Sequence, residues 1–211
     1  MDGLNLQELV ERFGPVPPER AVFILAQVCG SLAEAHEKGI VHRDIKPSNI
    51  LLTHRGGIYD FVKVLDFGIG KRTDSDAAPP EQPTSLTVEG TLIGTPPYMA
   101  PEQIRGAEAD PRADIWAFGC VLYECLTGKC AFEGDAFGDL IVSILEREPD
   151  LGALPADTPS HVRKLLQRGR LLDLRQHAGA RADQLARLDD VRRTLHERQR
   201  DPVDPCPEGE F

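Results

Sequence analysis

The chain has 211 residues, of which 41% are hydrophobic and 27% charged, and its formal net charge at pH 7 is -10. This length and composition fit a globular domain with one sizeable core. The negative charge argues against binding to nucleic acid or an anionic membrane, because such proteins usually carry a basic patch. No run approaches the roughly 18 to 20 apolar residues of a membrane span, and no leader pattern is visible, so we expect a cytoplasmic protein.

The first third of the chain predicts two helices followed by a β-hairpin. Asn5 and Glu8 form a capping-box pattern before a short amphipathic helix, which the sequence GPVPP ends. A longer helix follows and keeps its apolar residues at helical spacing as far as Gly39, a natural stop. Two short strands, 50–52 and 61–65, flank the turn sequence HRGG. The sequence VHRDIKPSN between helix and hairpin is therefore predicted to be a loop.

The remainder is predicted to be a long loop followed by helices. Residues 71–93 contain few apolar side chains that could offset the entropy of ordering them, so we expect a mobile loop. The sequence IWAFGCVLYECL is apolar on nearly every side, which indicates a buried central helix. Further helices are predicted over 137–147, 160–174 and 182–200, and a disordered tail over 201–211. The predicted fold class is mainly α with a short β-hairpin, in one body over residues 1–200.

Four short motifs follow one another along the chain. They are HRDIKPSN at His42–Asn49, DFG at Asp66–Gly68, GTPPYMAPE at Gly94–Glu102 and DIWAFG at Asp114–Gly119. Any one of them could arise by chance, but the ordered set could not. The chain therefore resembles the C-terminal lobe of eukaryotic-type protein kinases, specifically of bacterial Ser/Thr kinases. The resemblance implies the large helical lobe of a protein-kinase-like fold, and transfer of the ATP γ-phosphate to Ser/Thr hydroxyls of protein substrates.

The resemblance assigns chemical roles to the first two motifs. Phosphoryl transfer requires a protein mainly to align two oxygens and to neutralise charge on the moving phosphate. Asp44 would accept the proton of the substrate hydroxyl, and Lys46 would hold the γ-phosphate of ATP. Asn49 and Asp66 would bind Mg²⁺, because both offer the hard oxygen atoms that this ion prefers. Leu51 would form the floor of the adenine pocket and complete the predicted ATP site.

Other residues of the motifs are predicted to support or regulate this site. By the same resemblance, Thr95 would hydrogen-bond near the catalytic pair, and Asp114 would hold the backbone of the HRD sequence. Arg43 is typical of kinases that are switched by phosphorylation of the activation loop, since an arginine there can pair with a phosphate. Thr87 and Thr91 are the better candidate phosphate acceptors by their distance before GTPPY, and Thr84 and Ser85 are the alternatives.

The sequence departs from the family pattern at two places. A complete kinase domain carries a Gly-rich loop, a strand lysine and a helix glutamate before the catalytic motif. Here no Gly-rich loop precedes that motif, and Lys38 is the only lysine before Lys46. We therefore expect the small lobe to be missing, and the face that it would cover to be open to a small lobe or a partner protein. Near the end, His177 stands where the family places an arginine that pairs with Glu102, and Arg175 and Arg181 are the residues that could substitute for it.

Two functions from different classes follow. The first is a Ser/Thr protein kinase that retains its catalytic and metal-binding residues and needs a small lobe for activity. The second is a catalytically inactive, kinase-derived module that binds partners through the helical lobe. Mg²⁺-dependent binding of ATP distinguishes them, because only the first hypothesis requires it.

Overall fold

The computed structural model describes residues 3–67, 96–107 and 110–168, where it places three β-strands, six α-helices and three short 3-10 turns. In chain order the strands and helices are β1 (Gly3–Asn5), α1 (Leu6–Phe13), α2 (Pro18–Glu37), β2 (Ile50–Arg55), β3 (Ile58–Val64), α3 (Pro101–Ile104), α4 (Pro111–Thr127), α5 (Phe137–Glu146) and α6 (Ser160–Arg168). The predicted loop 71–93, the helix 182–200, the end of the helix 160–174 and the tail 201–211 lie outside the described residues.

The three strands form one antiparallel sheet in the order β1-β2-β3. The hairpin of β2 and β3 is longer than predicted, and it turns at Gly56 and Gly57, whose φ angles of 60° and 82° suit a tight two-residue turn. Strand β1 was not predicted, so the expected short hairpin is in fact part of a three-stranded sheet. A Cβ at Gly3 would lie 2.8 Å from the carbonyl oxygen of Leu52, so only glycine lets β1 approach β2 this closely.

Helix α1 begins with the predicted capping box. The side chain of Asn5 accepts a hydrogen bond from the Glu8 amide at 2.9 Å, and the Glu8 carboxylate accepts one from the Asn5 amide at 3.0 Å. These two bonds satisfy backbone donors that a helix start otherwise leaves without partners. The helix then buries Leu6, Leu9 and Val10 against the core, which confirms the amphipathic pattern.

Helix α4 contributes to both hydrophobic clusters of the described residues, as its apolar sequence predicted. One cluster packs α4 against α1, α2 and the sheet, and Leu122 and Leu126 are fully buried there. The second cluster surrounds Trp116, whose ring stacks on that of Phe132 with 5.5 Å between centroids. None of the helices that the structure describes is long and apolar enough to cross a membrane.

Helix α2 is tied to strand β3 by polar side chains. The guanidinium of Arg20 donates two hydrogen bonds to the Asp60 carboxylate, at 2.8 and 2.9 Å. The amide of Gln27 donates to the Asp60 carbonyl oxygen and accepts from the Val62 amide, at 2.9 and 3.1 Å. Gln27 therefore pairs with the outer edge of β3 as a neighbouring strand would. These contacts fix the strand that leads directly to Asp66.

Candidate active site

The loop of residues 41–46, which we call the HRD loop, is held from below by one buried carboxylate. Asp114 lies in the first turn of α4 and is fully buried. Its two oxygens accept hydrogen bonds from the backbone amides of His42, at 2.8 Å, and Arg43, at 2.7 Å. The ring nitrogen Nε2 of His36, from α2, lies 2.7 Å from the same carboxylate. Asp114 therefore joins α2, α4 and the HRD loop in one buried polar group.

Asp44 lies at the open side of this loop with its side chain 41% exposed. The Lys46 ammonium donates to its carboxylate at 2.8 Å. The amide nitrogen of Asn49 donates to the Asp44 carbonyl oxygen at 2.8 Å. The short 3-10 turn Pro47–Asn49 brings Asn49 back toward Asp44. The three residues thus form one hydrogen-bonded unit, and its carboxylate remains accessible to another molecule.

Asp66 is connected to this unit through the backbone of the preceding residue. The amide of Leu65 donates to the carbonyl oxygen of Asn49 at 2.8 Å. The carbonyl oxygen of Leu65 lies 2.8 Å from Nε2 of the buried His42. Because a carbonyl can only accept, this nitrogen of His42 carries the proton, and Nδ1 is left to accept from the Asp44 amide at 3.3 Å. His42 thus links the two motifs through both ring nitrogens.

Two backbone conformations at the site are unusual for residues other than glycine. Arg43 has a φ of 69° and Asp66 a φ of 56°. Left-handed conformations cost a residue with a Cβ roughly 1 to 2 kcal/mol, and less for aspartate. Such conformations persist where surrounding contacts hold them, and they concentrate at functional sites. At Arg43 one such contact is the bond from its amide to Asp114.

The other sequence-predicted site residues are placed as follows. Leu51 lies in the middle of β2, half-buried, and pairs with Asn5 on one side and Lys63 on the other. Thr87, Thr91 and Thr95 fall outside the described residues.

Glu102 lies in α3, half-buried, and the segment around His177 that was predicted to face it is also outside the described residues. Arg112 is a cation near Glu102. The hydrogen bond to Asp110 is the largest cause that raises the pKa of Arg112, and the charge of Glu102 raises it further. For the Asp110 carboxyl, burial acts to raise the pKa, but the hydrogen bonds from Arg112 outweigh it and lower the pKa.

Two polar side chains at the site were missed by sequence reasoning. His36 follows Val28 and Leu32 at four-residue spacing on the buried side of α2, and a histidine on such a stripe signals a buried partner. Gln103, immediately after the APE sequence, donates from Nε2 to the Arg43 carbonyl oxygen at 3.0 Å. Its Oε1 accepts from the Ala100 amide at 2.9 Å. No local pattern marks Gln103, because its partner is 60 residues away in the sequence.

The last residue of the PPY sequence forms a partly buried polar pair with helix α4. The hydroxyl of Tyr98 donates to the carboxylate of Glu124, from α4. Burial is the largest cause that raises the pKa of Glu124, the hydrogen bond from Tyr98 lowers it, and the charge of Glu11 raises it. In the folded chain the pKa of the Glu124 carboxyl is therefore raised.

The Glu124→Gln variant should change the pH dependence of stability. A carboxyl with a raised pKa in the folded state stabilises that state fully below its unfolded pKa, and this contribution is lost as pH rises through the folded pKa. The wild-type chain should therefore lose stability relative to Glu124→Gln as pH rises from about 4 toward 7. Urea unfolding of both proteins across this range measures the difference. Stability profiles of the two proteins that stay parallel with pH would contradict the raised pKa of Glu124. In Tyr98→Phe, which lacks the hydrogen bond that lowers this pKa, the loss of stability with rising pH should be larger than in the wild type.

Comparison with known proteins shows which family the chain is similar to. A family model described as protein kinase domain matches residues 1–168. Serine/threonine-protein kinase PknH of Mycobacterium bovis is 37% identical over 203 residues, 96% of this chain and 31% of that protein. Serine/threonine-protein kinase pkn3 of Myxococcus xanthus is 44% identical over 147 residues, 70% of this chain and 26% of that protein. A probable serine/threonine-protein kinase of Corynebacterium efficiens is 41% identical over 147 residues, which are 70% of this chain and 21% of that protein. The chain thus spans between 21% and 31% of the length of these relatives.

Proposed function

This chain belongs to the protein kinase family, and from that premise we propose that it transfers the γ-phosphate of ATP to serine or threonine hydroxyls of protein substrates. The observation that carries the proposal is the hydrogen-bonded unit of Asp44, Lys46 and Asn49, joined through Leu65 to Asp66. Phosphoryl transfer needs a proton acceptor, a cation and oxygen ligands close together. This unit supplies all three from a short stretch of the chain.

Each side chain of the unit has an atom suited to its proposed role. The Asp44 carboxylate is partly exposed and can accept the proton of a substrate hydroxyl. Lys46 holds that carboxylate in place and presents a cation on which a γ-phosphate can bind. Asn49 uses its amide nitrogen on the Asp44 carbonyl, so its side-chain oxygen is the atom that would face a metal ion.

The donor set near Asn49 and Asp66 fits Mg²⁺. The side-chain amide of Asn49 and the carboxylate of Asp66 are hard oxygen ligands, and Asp66 is exposed. The described residues contain no cluster of three or more His, Cys, Asp or Glu that could hold a metal alone. In ATP-dependent enzymes, Mg²⁺ is commonly held by one or two protein oxygens together with substrate phosphates and water. When bound, Mg²⁺ would neutralise charge on the phosphates.

We also propose that residues outside these 211 bind the phosphates of ATP. Within the sequence, no Gly-rich loop precedes Asp44, and the one earlier lysine, Lys38, pairs with Glu34 on the exposed end of α2. A small lobe, or a partner protein that takes its place, would supply these groups. The alternative function is a binding module without turnover.

The test uses the longest polypeptide that the gene encodes around these residues, incubated with radiolabelled ATP and a generic protein substrate. We expect phosphate on serine or threonine, lost when a chelator removes Mg²⁺ and lost in Asp66→Asn. Equilibrium dialysis with ATP should show binding that depends on Mg²⁺. A polypeptide that neither transfers phosphate nor binds ATP under these conditions would overturn the proposal in favour of the binding module.

A further inference from the structure

Gln103 joins two segments of the site with one side chain. It lies in α3, within the PPY–APE segment, which we define as residues 96–105. Its Oε1 accepts from the Ala100 amide at 2.9 Å, inside this segment. Its Nε2 donates to the Arg43 carbonyl oxygen at 3.0 Å, in the HRD loop. The two atoms of one amide group therefore hold two parts of the chain together.

The bond to Arg43 completes a series of contacts along the HRD loop. The amide of Arg43 donates to Asp114 at 2.7 Å, and its carbonyl oxygen accepts from Gln103. The next carbonyl oxygen, that of Asp44, accepts from Asn49 at 2.8 Å. Arg43 has a left-handed φ of 69°, so its peptide relaxes toward a commoner conformation if these contacts are removed.

We propose that Gln103 is a positioning residue for Asp44. The peptide group between Arg43 and Asp44 is planar, so a hydrogen bond to its carbonyl oxygen also fixes the direction of the Asp44 amide. That amide points at Nδ1 of His42, 3.3 Å away. By this route the PPY–APE segment sets the orientation of the carboxylate. The effect of Gln103 on catalysis rests on the proposed function, whereas its effect on the HRD loop does not.

A simpler role for Gln103 is to cap α3. A Gln or Glu at the third position of a helix commonly accepts a hydrogen bond from the amide that precedes the first turn. That role needs only Oε1, whereas the proposed role needs Nε2. A substitution that changes one atom and keeps the other therefore separates the two roles.

Two variants make this separation. Gln103→Glu keeps an oxygen for the Ala100 amide but places a second oxygen, which cannot donate, against the Arg43 carbonyl. Gln103→Leu removes both hydrogen bonds at a similar size and adds no charge. Gln167→Glu makes the same chemical change on an exposed residue of α6 and serves as the control.

Amide hydrogen exchange of the full chain tests the loop directly. In Gln103→Glu, we expect exchange in residues 42–45 to be about tenfold faster, with residues 101–105 unchanged. In Gln103→Leu, both segments should exchange faster, and Gln167→Glu should match the wild type. Unchanged exchange in residues 42–45 of both Gln103 variants would overturn the proposal and leave only the capping role.

Kinetics test the link to Asp44. Both Gln103 variants should lower kcat about tenfold with the KM for ATP within about twofold of wild type, because a misplaced base slows transfer without changing how nucleotide binds. A wild-type kcat in Gln103 variants whose residues 42–45 exchange faster would also overturn the positioning role. If the wild-type protein transfers no phosphate, the proposed function fails, and the exchange experiment still decides whether Gln103 holds the loop.

Discussion

Replacing Asp44 with asparagine is expected to lower kcat for phosphoryl transfer by about 10²- to 10⁴-fold while the chain remains folded. Asparagine keeps the shape of aspartate but accepts a proton poorly, so the variant loses the proposed base. The cost in stability should be small, because the pair with Lys46 is partly exposed and such pairs contribute at most about 1 kcal/mol.

The measurement is kcat and KM for ATP with saturating protein substrate, together with urea unfolding of the same samples. Asp135→Asn, a change of the same kind at an exposed residue, is the matched control and should leave kcat unchanged. An Asp44→Asn variant that keeps more than a tenth of the wild-type kcat would show that Asp44 is not the proton acceptor.

Features that depend on near neighbours in the sequence were predicted well. The capping box of Asn5 and Glu8 spans three residues, and both of its hydrogen bonds are present. Helix α4 was predicted because an apolar sequence of that length has few alternatives to burial. The family was predicted from four motifs in order, and the family comparison confirms it.

Several features that depend on distant residues were not predicted. Strand β1 has three residues, too few to show an alternating pattern, and its partner β2 lies about fifty residues further along the chain. His36 and Gln103 acquire their roles only when α2, α3 and the HRD loop pack together. The left-handed backbone at Arg43 is likewise invisible in a sequence, because arginine has no local preference for it.

Replacing Asp114 with alanine is expected to lower the free energy of unfolding by about 3 to 5 kcal/mol. The substitution leaves the backbone amides of His42 and Arg43 and the Nε2 of His36 without their acceptor in a buried place. A buried donor without a partner costs roughly 1 to 3 kcal/mol, and three are affected. Urea unfolding measures the loss, and Asp135→Ala at an exposed residue should stay within about 0.5 kcal/mol of wild type.

The Asp114→Asn variant separates the loss of charge from the loss of acceptors. Asparagine keeps one oxygen, but its amide nitrogen must face a backbone amide of His42 or Arg43, so one donor still lacks an acceptor. Its stability should therefore lie between those of the wild type and Asp114→Ala. A loss below about 1 kcal/mol for Asp114→Ala would mean that water replaces the carboxylate. The carboxylate would then not be what holds the HRD loop in place.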